Sequence, residues 1–178
     1  MAFVAARDRP VGAKLRRDHN VKNMEGRMPI PATGQAAGQL GTHTLKVMIA
    51  EDDLLLADML EEVLVKRGYD VCGIANTVEK AVELCDLHNP DLAVLDIRLA
   101  KGELGTDIPA WLDRPKSLGV LFASGYAGEM KLTKTYGDAL ITKPYRMEDV
   151  VRSLKIVEDI VRTGDASPPY PKGFSVLL

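Results

Sequence analysis

This 178-residue chain has few cysteines, a small net charge and few long apolar runs. Its two cysteines, Cys72 and Cys85, lack the spacing of a metal site, which favours two buried thiols in a reducing cytoplasm. The formal net charge of −2 gives no electrostatic reason to bind nucleic acid. No apolar run is long enough to span a bilayer, and the N-terminus lacks the pattern of a secretory signal. These absences predict a cytoplasmic chain without nucleic-acid binding or membrane insertion.

The composition, 46% hydrophobic and 27% charged, is that of a soluble domain with a core of its own. The first 27 residues hold seven basic and three acidic residues, a balance of +4, so the remainder carries −6. Residues 1–43 show no hydrophobic periodicity and are predicted to form a disordered N-terminal arm. Residues 44–163 are predicted to form the domain, and the proline-containing residues 164–178 a C-terminal tail.

Within the domain, short apolar runs alternate with segments whose apolar residues recur at helical spacing. The stretch 126–138 is ambiguous and predicts one weak helix at most, because it contains two glycines. Such alternation predicts an α/β fold, a doubly wound parallel sheet with helices on both faces. Right-handed crossovers favour the flavodoxin-like strand order 2-1-3-4-5. The predicted strands are 45–50, 71–75, 92–96, 119–123 and 139–142, and the predicted helices are 53–67, 77–88, 107–112 and 147–162.

Polar side chains stand where four of these strands end. Glu51 and Asp52 follow the first strand, Asp96 ends the third, Ser124 follows the fourth and Lys143 follows the fifth. Open parallel sheets bind ligands in the crevice at these carboxyl ends. Acidic residues at a helix start also serve as caps, and a Lys-Pro pair after a strand also forms a turn. The occurrence of all these residues at strand ends favours a common site.

Three carboxylates in one crevice repel each other unless a cation joins them, and an all-oxygen site suits Mg²⁺. Asp52 and Asp96 would be direct ligands, with Glu51 acting through water. A carboxylate between Mg²⁺ and a lysine is suited to receive a phosphoryl group, which makes Asp96 the predicted nucleophile. Lys143 would neutralise the phosphoryl oxygens, and Ser124 would donate a hydrogen bond to one of them.

Residues 45–162 resemble a response-regulator receiver domain of the CheY-like kind. The acidic pair Glu51-Asp52, the run that ends at Asp96, the hydroxyl of Ser124 and the pair Lys143-Pro144 carry the resemblance. It implies that Asp96 is the phosphoacceptor. It also implies that Arg98 supplies a backbone carbonyl to the metal and that the Lys-Pro peptide bond is cis.

The run Phe122-Ala123-Ser124-Gly125-Tyr126 resembles the Phe-Ala-Thr-Gly-x-Tyr signature of a receiver subgroup, often single-domain, that HWE or related histidine kinases serve. Two residues depart from it, because serine replaces threonine and Tyr126 follows the glycine directly. A further departure is Leu140, which stands where receivers carry a switch aromatic. The switch is therefore predicted to involve Ser124 and the stretch 125–137.

The predicted function is a stand-alone receiver of a two-component phosphorelay, a monomer or weak dimer that signals by binding a downstream protein. It would not be an enzyme beyond slow self-catalysed phosphotransfer and autodephosphorylation. The alternatives are a phosphorylation-independent interaction module and a phosphate sink on the same fold. A hydrolase of small phosphorylated substrates is disfavoured, because such families carry a second Asp where this chain has Arg98.

Overall fold

The computed structural model describes residues 44–112, 117–125 and 132–178. The arm predicted over residues 1–43 lies outside the described residues, as do residues 126–131 of the ambiguous stretch. The rest of that stretch, residues 132–138, contains turns and no helix.

Six strands form one sheet in the described part of the chain: β1 (Lys46–Ala50), β2 (Asp70–Ala75), β3 (Leu92–Asp96), β4 (Gly119–Ser124), β5 (Ala139–Thr142) and β6 (Phe174–Val176). Their order is β2-β1-β3-β4-β5-β6. The first five strands run parallel, which confirms the predicted fold class and strand order. The sixth runs antiparallel to β5.

Among the described residues, four α-helices connect and cover these strands: α1 (Leu54–Lys66), α2 (Val78–His88), α3 (Asp107–Trp111) and α4 (Met147–Thr163). The Asp53 carboxylate caps α1 by accepting from the amides of Leu55 and Leu56 at 3.0 and 3.2 Å. Gly164 ends α4 in the left-handed conformation, with φ +81°. None of the described helices is long and apolar enough to cross a membrane.

The hydrophobic core has two layers, one on each face of the sheet. Along β1, Val47 and Ile49 pack in the layer of α1 and α4, whereas Met48 and Ala50 pack in the layer of α2 and α3. Because both faces are covered, the strands are nearly continuous apolar runs. Successive side chains along a strand point to opposite faces of the sheet. This alternation also determines the face on which each residue at a strand end lies.

The C-terminal segment is more than the predicted tail, because it adds β6 to the edge of β5. The Thr142 amide donates to the Gly173 carbonyl at 3.1 Å, and the Leu177 amide donates to the Asp138 carbonyl at 2.9 Å. The Leu177 side chain is 7% exposed and belongs to the core layer of α2 and α3. A strand of three residues behind several prolines has too little length and periodicity to be predicted from sequence.

Two adjacent leucines provide a matched test of this docking. Leu177 is 7% exposed and Leu178 is 95% exposed. We expect Leu177→Ala to lower the free energy of unfolding by about 2 kcal/mol, because it removes buried methyl groups. Leu178→Ala should change it by less than about 0.5 kcal/mol. Urea denaturation followed by circular dichroism measures both, and equal effects would show that the segment does not pack on the sheet in solution.

Candidate functional site

The ends of β1, β3 and β5 bring Glu51, Asp96 and Lys143 together on one face of the sheet. The residues two positions earlier in each strand, Ile49, Val94 and Ile141, pack in the layer of α1 and α4. The side-chain period of two therefore directs all three polar side chains toward that layer.

One ammonium group joins the two carboxylates. The Nζ atom of Lys143 lies 2.5 Å from Asp96 Oδ2 and 2.8 Å from Glu51 Oε2. Glu51 is only 3% exposed, and the Lys143 side chain is 24% exposed. Without the ammonium group the two carboxylates would repel each other. The cluster is thus a partly buried network in which the cation is shared.

Burial and charge pairing act on both ends of this network. Burial raises the pKa of Glu51, and the hydrogen bond from Lys143 only partly offsets it. For Lys143, burial alone would lower the pKa, but the hydrogen bonds to Asp96 and Glu51 outweigh it and raise the pKa. Lys143 is therefore a permanent cation at this site near neutral pH.

Asp52 completes a cluster of three acidic residues at the carboxyl ends of β1 and β3. Glu51, Asp52 and Asp96 each place one carboxylate oxygen within 4.8 Å of the others. Glu51 is buried, Asp96 is half-buried and Asp52 is exposed, so the cluster opens to solvent on the side of Asp52. A set of hard oxygen donors that leaves room for water fits Mg²⁺.

The sequence of the domain matches a known family. The model of the response regulator receiver domain matches residues 47–155, more than half of the chain. The chain belongs to the response regulator receiver family. The match begins within β1, ends within α4 and includes Glu51, Asp52, Asp96 and Lys143.

Individual relatives agree with this assignment. The chain is 27% identical over 115 residues to the transcriptional regulatory protein PdtaR of Mycobacterium tuberculosis, covering 62% of this chain and 55% of PdtaR. It is 31% identical over 107 residues to the phyllosphere-induced regulator PhyR of Methylorubrum extorquens, covering 59% of this chain and 40% of PhyR. The chain thus spans about half the length of the curated relatives it matches.

A solved structure confirms the fold independently. The CheY-like receiver domain protein of Methanospirillum hungatei superposes with a TM-score of 0.61 at 24% identity, covering 68% of this chain and 99% of that one. At this identity the likeness concerns the fold alone.

In this receiver domain, backbone amides hold the carboxylates of Glu51 and Asp96 in place. The Asp53 amide donates to Glu51 Oε1 at 3.3 Å, and the Arg98 amide donates to Asp96 Oδ1 at 3.1 Å. Each carboxylate therefore has one oxygen on the backbone and the other on Lys143. The backbone of Arg98 lies beside the cluster, whereas its predicted use as a metal-binding carbonyl stays a prediction.

Strand β4 lies between Asp96 and Lys143 and leaves room for the lysine stem. Ala123 is paired with Asp96 in β3 and with Ile141 in β5, and it packs in the layer toward which Lys143 points. Its small side chain lets Lys143 cross the strand. Ser124, the next residue, is fully buried, and its carbonyl accepts from the Lys143 amide at 2.8 Å.

The Lys143–Pro144 peptide bond is cis, as the resemblance implies. Leu140 is buried in the layer of α2 and α3, opposite to the face of Lys143. The predicted switch involving Ser124 and the stretch 125–137 stays a prediction, because residues 126–131 lie outside the described part of the chain. The likeness to the narrower subgroup also stays a prediction, since Tyr126 is among those residues.

Two residues in the loop after β3 have structural roles that the sequence did not reveal. Gly105 packs against the backbone of Asp96, so that an added Cβ would lie 1.9 Å from the Asp96 carbonyl oxygen. The Glu103 carboxylate accepts from the Val78 amide at 2.7 Å and so caps α2. The contact of Glu103 with Val78 joins residues distant in sequence, and the contact of Gly105 with Asp96 depends on the path of the loop. The sequence shows that position 105 is a glycine, but not what it contacts.

Gly105 can be tested against a second glycine near the site. We expect Gly105→Ala to lower the free energy of unfolding by about 1–3 kcal/mol, because the methyl group meets backbone atoms that cannot rotate away. Gly125→Ala is the control, since an added Cβ meets nothing within 4 Å there. Thermal and urea denaturation measure both, and a Gly105→Ala protein as stable as the control would contradict the close packing.

Proposed function

We propose that this receiver domain accepts a phosphoryl group on Asp96 from the phosphohistidine of a histidine kinase and signals through protein contacts. The observation that carries the proposal is the Lys143 ammonium 2.5 Å from Asp96, beside an acidic cluster suited to Mg²⁺. This arrangement combines a carboxylate nucleophile with the positive charge that phosphoryl transfer needs.

In the proposed step, a carboxylate oxygen of Asp96 forms a bond to phosphorus as the phosphorus–nitrogen bond of phosphohistidine breaks. The imidazole leaves with the electron pair of that bond. Lys143 moves its hydrogen bond to a phosphoryl oxygen, and the Ser124 hydroxyl donates to another. Glu51, Asp52, Asp96 and the Arg98 carbonyl would hold Mg²⁺, which when bound supplies positive charge to the phosphoryl oxygens.

The same residues account for the loss of the phosphoryl group. Attack of water on phosphorus would break its bond to the Asp96 oxygen, release inorganic phosphate and restore the carboxylate, so autodephosphorylation needs no separate active site. The protein is therefore proposed to be a phosphoacceptor with slow self-catalysed phosphotransfer and autodephosphorylation rather than an enzyme with an independent substrate.

The proposed partners are one upstream kinase, of the HWE or a related type, and one downstream protein. The kinase type rests on the likeness of residues 122–126 to the subgroup signature. The transcriptional and anti-anti-sigma activities named for PdtaR and for the Bartonella quintana PhyR belong to proteins of which this chain covers 55% and 51%. For this chain we propose the receiver step and its protein contacts.

Phosphoryl acceptance can be tested with a small donor. With acetyl phosphate and Mg²⁺, the wild-type protein should gain one phosphoryl group by intact mass spectrometry. Asp96→Asn should gain none, because the nucleophilic carboxylate is removed, and EDTA should abolish labelling of the wild type.

Asp53→Asn is the matched control for that experiment. Asn caps helices as well as Asp does, and Asp53 serves as the cap of α1 rather than as a predicted ligand. This variant should be labelled like the wild type. Labelling of Asp96→Asn at the wild-type level would assign the acceptor to another residue and overturn the proposal.

A further inference from the structure

The Tyr145 hydroxyl is a buried polar group without a role in the chemistry described so far. Tyr145 follows Lys143-Pro144, and its ring packs in the layer of α1 and α4. Its oxygen is shielded from solvent and has no hydrogen-bond partner among the described residues. Leaving a buried hydroxyl unpaired is costly, and Phe would fill the same space without that cost.

The charged groups that act on the pKa of this hydroxyl belong to the site. Burial raises the pKa of Tyr145 to about 12, and Lys143, Glu51 and Asp96 are the charged groups that act on it. The hydroxyl is therefore a neutral group that can donate one hydrogen bond near neutral pH. It lies in the core layer toward which Glu51 and Lys143 also point.

Glu51 is the group in this cluster that stands to lose a partner. Its Oε1 accepts from the Asp53 amide and its Oε2 from Lys143, which it shares with Asp96. A phosphoryl group on Asp96 adds negative charge at that end and draws the ammonium toward itself. Because the proposed link of Glu51 to Mg²⁺ runs through water, Lys143 is its direct cationic contact. Glu51, at 3% exposure, is then a buried carboxylate whose direct contact to a cation is weakened.

We propose that Tyr145 is a positioning residue for Glu51, whose carboxylate accepts a hydrogen bond from the Tyr145 hydroxyl when Lys143 turns to a phosphoryl group on Asp96. This inference rests on the proposed phosphorylation of Asp96. It gives a role to a hydroxyl that is unpaired at a position where Phe would fill the same space. The hydrogen bond holds Glu51 in the crevice while its former partner serves the phosphoryl group.

The test compares Tyr145→Phe with Tyr69→Phe. Tyr69 is also partly buried in the layer of α1 and α4, with a pKa raised by burial to about 12, but it precedes β2 at the other end of the sheet. Each variant is titrated with beryllofluoride, formed from beryllium chloride and sodium fluoride, in the presence of Mg²⁺. The melting temperature is measured with and without this phosphoryl mimic.

Without beryllofluoride, Tyr145→Phe should melt at the wild-type temperature or above it, because it removes an unpaired hydroxyl. With beryllofluoride it should bind the mimic about tenfold more weakly than the wild type, the effect of one hydrogen bond to a charged group. Tyr69→Phe should bind the mimic like the wild type. In the Glu51→Gln background, the effect of Tyr145→Phe should shrink, because the charged acceptor is gone.

A spectroscopic readout follows the hydroxyl itself. In protein labelled with ¹³C at the tyrosine ζ carbon, the Tyr145 resonance is the one missing from Tyr145→Phe. It should shift when beryllofluoride is added to the wild type and shift less in Glu51→Gln.

The outcomes separate this inference from the function on which it rests. Failure of the wild type to bind beryllofluoride would overturn the phosphoacceptor proposal, and this inference with it. Binding by the wild type and Tyr145→Phe with equal affinity would overturn this inference alone. So would a Tyr145→Phe effect that is the same in the Glu51→Gln background, or a large loss of stability without the mimic.

Discussion

The hydrogen bonds of the Lys143 ammonium to Glu51 and Asp96 are the interaction on which the site depends. The three residues come from β5, β1 and β3, so one side chain connects three strand ends across the sheet. The sheet must place β4 between Asp96 and Lys143 and must leave a small residue there, which is Ala123. A bulky residue at position 123 would separate the ammonium from the carboxylate even if every polar residue were retained.

The two ends of the sheet use their carboxylates differently. At the amino ends of the strands, the carboxylates of Asp91 and Asp138 accept from the Lys46 and Val120 amides, each at 2.8 Å. Those carboxylates stabilise the path of the backbone. At the carboxyl ends, backbone amides contact one oxygen each of Glu51 and Asp96, and the second oxygen contacts the Lys143 ammonium. The carboxylates at the carboxyl ends are thus held in part by a side chain, which can change partners without a change in the backbone.

The local pattern of the sequence was sufficient for the parallel sheet and its order. Each of the first five strands is an apolar run bounded by turn-forming residues, and each helix has an apolar face, so pattern and tertiary structure agree. The strand order predicted that Glu51, Asp96 and Lys143 lie at one edge of the sheet, and the alternation of side chains along the strands places them on one face. The contacts of Gly105 with Asp96 and of Glu103 with Val78 could not be predicted, because they depend on how a loop folds back. The unpaired Tyr145 hydroxyl is likewise a property of the packed core rather than of the sequence around it.

The short strand β6 has a consequence for solubility. β5 consists of Ala139-Leu140-Ile141-Thr142, and as an edge strand it would offer apolar side chains and unpaired backbone groups to any extended chain nearby. By pairing with it in antiparallel fashion, residues 174–176 move the edge outward to a strand of only three residues, whose central Ser175 is exposed. So short an edge strand is a poor template for intermolecular β-pairing. β5 leads directly to Lys143, and β6 covers its edge. The C-terminal segment therefore protects the protein against aggregation by pairing at β5.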